Sequence, residues 1–136
     1  MAARAFPLLD VMPESLRGIV LDREWDRERL WRLPLPVSTV AVRDLAWHLR
    51  LPLWAHDGVP FAVTPAEVLR APAMYAGQHA RVMAADLSFP VDLLDQPGRP
   101  TMLDGVHRLA KAWRLGYPEI AVRLLPLPLL ARITVS

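Results

Sequence analysis

The sequence predicts an α+β fold, with a small mixed sheet flanked by helices in one domain spanning residues 1–136. The chain has 136 residues, of which 53% are hydrophobic, which is enough to bury one sizeable core. Short β-branched segments alternate with segments of helical period. Fourteen prolines separate these segments, because proline fixes its own backbone and disfavours helix in the residue before it.

The first third of the chain is predicted to contain an arm, a helix, a strand and a second helix. Residues 1–21 have no clear period and are interpreted as an extended arm or short strand, so that residues 1–32 form an N-terminal arm and helix. That first helix is expected over 22–31, capped by Asp22. Residues 33–42 are β-branched and predict a strand, and residues 43–49 predict a helix after it.

In the middle of the chain, Thr64 and Glu67 have the spacing of a capping box, with Pro65 at the first helical position. A short helix to about Arg70 should follow. Residues 72–85 predict another helix, which Gly77 weakens.

A strand that turns through Asp104-Gly105 into a helix is the most informative segment. The helix should run from about Gly105 to Leu115, with Asp104 as N-cap and Gly116 as the residue that ends it. Gly105 lets the backbone come close to a ligand. The apolar stripe that should pack on the core consists of Val106, Leu109, Ala110 and Trp113.

The start of this helix is suited to an anion. Its first amides point outward and carry partial positive charge, and His107 and Arg108 lie within one turn of them. Phosphate is the expected ligand. The alternative is an ordinary amphipathic helix with solvated basic residues, since Asp-Gly is a common turn.

Asp104-Gly-Val-His-Arg108, followed by Leu-Ala-Lys-Ala-Trp-Arg-Leu-Gly116, resembles the ParB/sulfiredoxin-like superfamily. Members of that superfamily carry a G-x-x-R or D-G-x-H-R element that opens a helix ending in Leu-Gly. Phe89-Pro90-Val91 is similar to a strand start of the family, and residues 96–98 and 120–125 are similar to its next turn and strand. The resemblance covers roughly residues 86–126, and a weaker one extends upstream to about Leu33. It implies a standalone nucleotide-binding domain.

Two departures from the family narrow the expected chemistry. Val106 stands where sulfiredoxin has its cysteine, and the chain contains no cysteine, so thiol repair is excluded. ParB itself has a G-E-R-R element and a DNA-reading region after this domain, whereas only ten residues follow Pro126 here. The motif is nearer to that of standalone relatives, which include free serine kinases that use ADP.

The resemblance implies a set of site residues. Asp104 and His107 are the expected catalytic residues, with Asp104 orienting or deprotonating an acceptor hydroxyl or holding Mg²⁺ through water. Gly105, His107 and Arg108 are expected to bind phosphate. No metal ligands are assigned, although the acids Asp22, Glu24 and Asp26 are an alternative source of a base or metal ligand. Further pocket residues are expected at Arg81 and His79, with accessory roles for Asp86, Ser88 and Lys111.

The expected function is a small phosphotransferase or phosphohydrolase that uses ATP, ADP or CTP, with Mg²⁺ as an optional cofactor and an unknown small-molecule acceptor. A non-catalytic nucleotide- or partner-binding regulatory module, in a homodimer, is the alternative. A nuclease is less favoured because the formal charge is only +2. The five tryptophans are interpreted as core anchors and not as a base-stacking surface.

No apolar run approaches the roughly 20 residues of a membrane span, and no signal peptide is recognised at the N-terminus. A cytoplasmic protein is therefore expected. Motifs of P-loops, dinucleotide folds and serine hydrolases do not occur.

Overall fold

A four-stranded mixed sheet forms the centre of the computed structural model, which describes residues 2–136. Its strands are β1 (Val37–Ala41), β4 (Val91–Asp95), β5 (Thr101–Asp104) and β6 (Glu119–Pro126), in the order β1-β6-β4-β5. Strands β4 and β6 are parallel, and the other two pairs are antiparallel. A separate hairpin is formed by β2 (Trp54–His56) and β3 (Val59–Val63).

Short helices connect and cover these strands. They are α1 (Arg27–Arg32), α2 (Val42–Leu45), α3 (Pro65–Arg70), α4 (Ala76–Ala84) and α5 (Val106–Leu115). The 3₁₀ turns are Leu9–Val11, Glu14–Leu16, Ala46–Arg50 and Leu127–Arg132. The predicted α+β class with a small mixed sheet is confirmed.

The sheet separates two hydrophobic clusters. Val91 and Leu93 of β4 pack with α2, α3 and α5 on one face, whereas Leu94 packs with Leu30 of α1 and with Leu130 on the other. Both faces of β4 are therefore covered, which explains why four consecutive residues of this strand are buried. The second cluster holds α1 against the sheet.

Several elements match their predictions closely. The capping box of Thr64 and Glu67 is complete, and α3 ends at Arg70 as expected. The hairpin of β4 and β5 surrounds the predicted turn at 96–98, and β6 lies where the next strand was expected. Gly116 ends α5 in the left-handed conformation, with its N–H bonded to Ala112 and Trp113 carbonyls.

The prediction for the N-terminal region is wrong in two respects. Residues 1–21 were expected to be extended, but two 3₁₀ turns occur there. The first helix begins at Arg27 and is capped by Asp26, not by Asp22. Residues 22–26 stay extended because the backbone of Glu24 pairs with Arg4 and Val135, a contact between distant segments that local propensity does not encode.

Two other helices are shorter than expected, and one hairpin was not predicted. The helix expected over 43–49 is α2 followed by a 3₁₀ turn, and the one expected over 72–85 begins only at Ala76, after a turn that contains Pro72. The unpredicted β2–β3 hairpin turns through Asp57 and Gly58, both with positive φ. This Asp-Gly pair is a hairpin signal in the sequence.

The packing of tryptophans also differs from prediction. Trp54 is buried, but Trp113 is 51% exposed and Trp31 is 56% exposed. Trp113 therefore does not belong to the apolar stripe of α5, which packs through Leu109, Ala110 and Ala112. None of the helices formed by residues 2–136 is long and apolar enough to cross a bilayer.

Candidate functional site

A cavity of about 800 Å³ opens where β5 meets the start of α5. This is within the size range of small-molecule sites. The Asp104-Gly105-His107-Arg108 segment forms part of its wall, as the sequence motif indicates. The other lining residues are Arg27, Trp31, Arg81, Ala84, Ala85, Asp86, Phe89, Pro90, Asp92 and Arg123.

Gly105 is the N-cap of α5 and has a φ of 124°. A Cβ at this position would lie 2.6 Å from Cγ1 of Val91, which is too close for any side chain. The glycine is therefore required by the adjacent strand β4. The prediction that Asp104 caps the helix is wrong, because Gly105 is the N-cap, no side chain of residues 2–136 caps α5, and the Asp104 carboxylate contacts Trp31, Arg27 and Arg108 instead.

The Asp104 carboxylate is the centre of a polar network. Its Oδ2 accepts a hydrogen bond from the indole N–H of Trp31 at 3.1 Å and lies 3.3 Å from Nη2 of Arg108. Its Oδ1 lies 3.6 Å from Nε of Arg27. Asp104 thus connects β5 with both α1 and α5, and only 13% of its side chain is exposed.

Arg108 is held in place by backbone as well as by Asp104. Its Nη1 donates to the carbonyl of Pro90 at 2.7 Å, at the entry to β4. The guanidinium side chain is 16% exposed and lines the cavity. A guanidinium that lines a cavity is suited to bind a phosphate oxygen, because hydrogen bonds with charged partners are stronger than neutral ones.

His107 has a different role from the one its charge would suggest. Its ring is stacked on Trp54 with 4.2 Å between ring centroids, and its Nε2 lies 2.9 Å from Oε1 of Gln78. Because the Gln78 amide nitrogen donates to the Ala55 carbonyl, Oε1 is left as acceptor and the proton lies on Nε2 of His107. Burial, assisted by the charge of Arg81, lowers the pKa of His107 to about 4. The imidazole is neutral near pH 7 and adds no positive charge to the site.

A buried ion pair supports the base of the cavity. Nε of Arg123 donates to Oδ1 of Asp92 at 2.7 Å, and the two Nη atoms of Arg123 donate to the carbonyls of Leu30 and Leu33. Arg123 therefore fixes the C-terminal end of α1 to the sheet. Asp92 lies opposite Asp104 in the β4–β5 register, and burial raises the pKa of its carboxyl group.

The first turn of α5, which borders the cavity, has backbone donors without helical partners. The first intrahelical bond is donated by Leu109 to the Gly105 carbonyl at 2.9 Å, so the N–H groups of Val106, His107 and Arg108 have no acceptor in the helix. Arg81 also lines the cavity, and within residues 2–136 no carboxylate forms an ion pair with it. These groups are the donors that an anion would meet first.

Of the other residues predicted for the pocket, Asp86 lines the cavity, whereas Ser88, His79 and Lys111 do not. Asp86 lines the cavity, and hydrogen bonds from Ser88 to its Oδ1 lower its pKa. Ser88 therefore contributes by holding the Asp86 carboxylate through hydrogen bonds. His79 does not line the cavity. Lys111 is also outside it, where its Nζ donates to the Met83 and Ala85 carbonyls at the end of α4.

The upstream acids do not reach the site. Asp22 and Glu24 form ion pairs with Arg23 and Arg4, and Asp26 caps α1. In the described part of the chain, no three His, Asp or Glu side chains are grouped so that they could hold a metal ion.

Sequence reasoning missed several residues that complete the cavity. Asp92 and Arg123 look like ordinary strand residues, and nothing local indicates that they form a buried pair. Arg27 and Trp31 belong to a helix more than 70 positions from Asp104 in the chain, so only tertiary packing brings them together.

In comparisons with protein-family models, with curated proteins and with solved structures, no match to this chain was found.

Proposed function

We propose that this protein is a nucleotide-binding protein of the ParB/sulfiredoxin-like type, and that it acts as a small phosphotransferase or phosphohydrolase in the cavity beside α5. The observation that carries the proposal is the uncapped first turn of α5, which opens on a cavity of about 800 Å³ together with Arg81 and Arg108. Backbone donors, the helix dipole and two guanidinium groups converge there. This combination is suited to the phosphates of ATP, ADP or CTP.

Each donor has a distinct part in the proposed binding mode. The free amides of α5 hold one phosphate, and Arg81, which forms no ion pair with a carboxylate of residues 2–136, neutralises its charge. Arg108 is oriented by the Pro90 carbonyl and exchanges its contact with Asp104 for a phosphate oxygen. His107 contributes its backbone N–H, while its side chain holds the first turn of the helix against Trp54.

Asp104 is the proposed base for transfer to a hydroxyl acceptor. Once a phosphate oxygen has replaced Asp104 as the partner of Arg108, the Asp104 carboxylate is free to accept the hydroxyl proton. At the same time the acceptor oxygen forms a bond to phosphorus. The bond from phosphorus to the bridging oxygen breaks, and the nucleotide leaves with that oxygen. Such catalysis consists mainly of positioning and charge stabilisation, which the amides and arginines supply. Mg²⁺ would enter with the nucleotide and add further charge stabilisation.

A binding module without turnover is the second candidate. The favouring observation is that Asp104 is tied to two arginines and a tryptophan, and that His107 is a weak base with a pKa of about 4. A general base works best with a pKa near the operating pH. In this case the cavity holds a nucleotide and signals its presence through α1.

The test is calorimetric titration of the full chain with ATP, ADP and CTP, with and without Mg²⁺, followed by detection of released phosphate or of product. Arg81→Ala should weaken binding, and Arg114→Ala is the matched control, because Arg114 is exposed on α5 outside the cavity. Binding with turnover supports the phosphotransferase, and binding alone supports the module. If no nucleotide binds, the proposal is wrong.

A further inference from the structure

Two large aromatic side chains lie in the cavity wall without being buried. Trp31 of α1 is 56% exposed, and Phe89, just before β4, is 62% exposed. Exposed apolar residues scattered singly on a surface need no explanation, but these two share one cavity with the phosphate-binding groups.

Trp31 is held at this position from two directions. Its indole N–H donates to Oδ2 of Asp104, so one edge of the ring is fixed beside the polar network. The helix that carries it is fixed to the sheet by Arg123, which donates to the carbonyls of Leu30 and Leu33. The exposed ring is thus held by its own hydrogen bond and by a helix that is bonded to the sheet.

The size of the cavity indicates a ligand larger than phosphate. A volume of about 800 Å³ is typical of sites for whole organic cofactors and substrates. Arg108 and the free amides belong to α5 and Arg81 belongs to α4, whereas the two aromatic rings come from α1, which also carries Arg27, and from the segment before β4. Polar and aromatic wall segments of this kind fit a ligand that has an anionic part and a flat, apolar part.

We propose that Trp31 and Phe89 bind the base of a nucleotide by stacking, so that the cavity takes nucleoside phosphates in preference to inorganic polyphosphate. This inference rests on the proposed function and adds to it the two side chains that contact the base. Stacking on an aromatic side chain is tolerant of base identity, because every base has a π-face. It also reverses the sequence-based interpretation of Trp31 as a core anchor.

The experiment compares the binding of Mg·ATP with that of Mg·tripolyphosphate by calorimetry, using the full chain. ATP should bind at least about fivefold more tightly, the lower limit expected for one stacked base. Phe89→Leu should weaken ATP binding and leave tripolyphosphate binding unchanged. Trp31→Leu, which also removes the hydrogen bond to Asp104, should weaken ATP binding by a larger factor than it changes tripolyphosphate binding. Trp113→Leu is the matched control, because Trp113 is also about half exposed but lies outside this cavity.

Trp31→Phe separates stacking from the hydrogen bond to Asp104, because it keeps a ring and lacks the N–H group. It should retain most of the preference for ATP. If it behaves like Trp31→Leu, the stacking role is wrong. Equal binding of the two probes by the original chain overturns this inference and leaves the phosphate site in place, whereas binding of neither probe overturns both proposals.

Discussion

The imidazole of His107 lies flat on the indole of Trp54, with the ring planes 10° apart. This contact joins the first turn of α5 to the β2–β3 hairpin, and Gln78 adds a hydrogen bond from α4. A residue that the sequence motif presents as a cation is therefore a neutral packing element. The side-chain charge at the start of α5 is therefore carried by Asp104 and Arg108.

Stability should depend on pH through the histidines. Burial lowers the pKa of His48 and His107 in the folded state, so the unfolded chain binds more protons as the pH falls below about 6.5. Stability is therefore greatest above this pH and is lost as the pH falls towards 4. The shift of His107 from 6.5 to about 4 corresponds to roughly 3 kcal/mol, since one pKa unit is about 1.4 kcal/mol. Urea unfolding between pH 4 and pH 8 measures this loss, and titration of His107 near 6.5 by NMR would contradict it.

Replacing Gly105 with alanine should destabilise the fold. The new Cβ would lie 2.6 Å from Val91 in a backbone conformation with φ of 124°, so strain and a clash act together. We expect a loss of at least about 1–3 kcal/mol, the range for strained backbone alone. Gly98→Ala is the matched control, because its φ is also positive but, among residues 2–136, no atom beyond its chain neighbours lies within 4 Å of the new Cβ. Equal losses measured by urea unfolding would show that the Val91 contact does not matter.

Arg108→Ala should weaken tripolyphosphate binding by about 1.5–3 kcal/mol, the usual range for a hydrogen bond to a charged group. Arg108→Lys should recover only part of this, since an ammonium group does not reproduce the fixed fork of a guanidinium. Calorimetry on both variants checks the loss, and circular dichroism confirms the fold. Unchanged affinity in a folded Arg108→Ala protein would remove Arg108 from the ligand set.

Asp104→Asn should separate binding from chemistry. The amide oxygen can still accept the Trp31 N–H, but the negative charge that competes with phosphate for Arg108 and Arg27 is gone. Phosphate affinity should therefore stay equal or rise, while turnover falls strongly. The measurement pairs calorimetry with a product assay. Turnover that survives in this variant would exclude Asp104 as the base.

The start of α3 and the end of α5 could be predicted from the sequence because their signals are local. Thr64 with Glu67 specifies the start of α3 by two reciprocal hydrogen bonds, and Gly116 specifies the end of α5 by its left-handed conformation. The N-terminal helix was placed too early because Asp22 and Asp26 are both acceptable caps. Only the pairing of Glu24 with distant backbone decides between them.

The sequence by itself determined the α+β class, the strand-turn-helix at Asp104-Gly105 and the cluster of polar groups that follows it, since these depend on short-range backbone preferences. Tertiary structure alone decided what those groups do. Packing on Trp54 makes His107 neutral, the close approach of Val91 requires Gly105, and the buried Asp92–Arg123 pair brings Trp31 and Arg27 to Asp104. The charge and accessibility of a side chain depend on neighbours that are distant in the chain, and no local pattern encodes them.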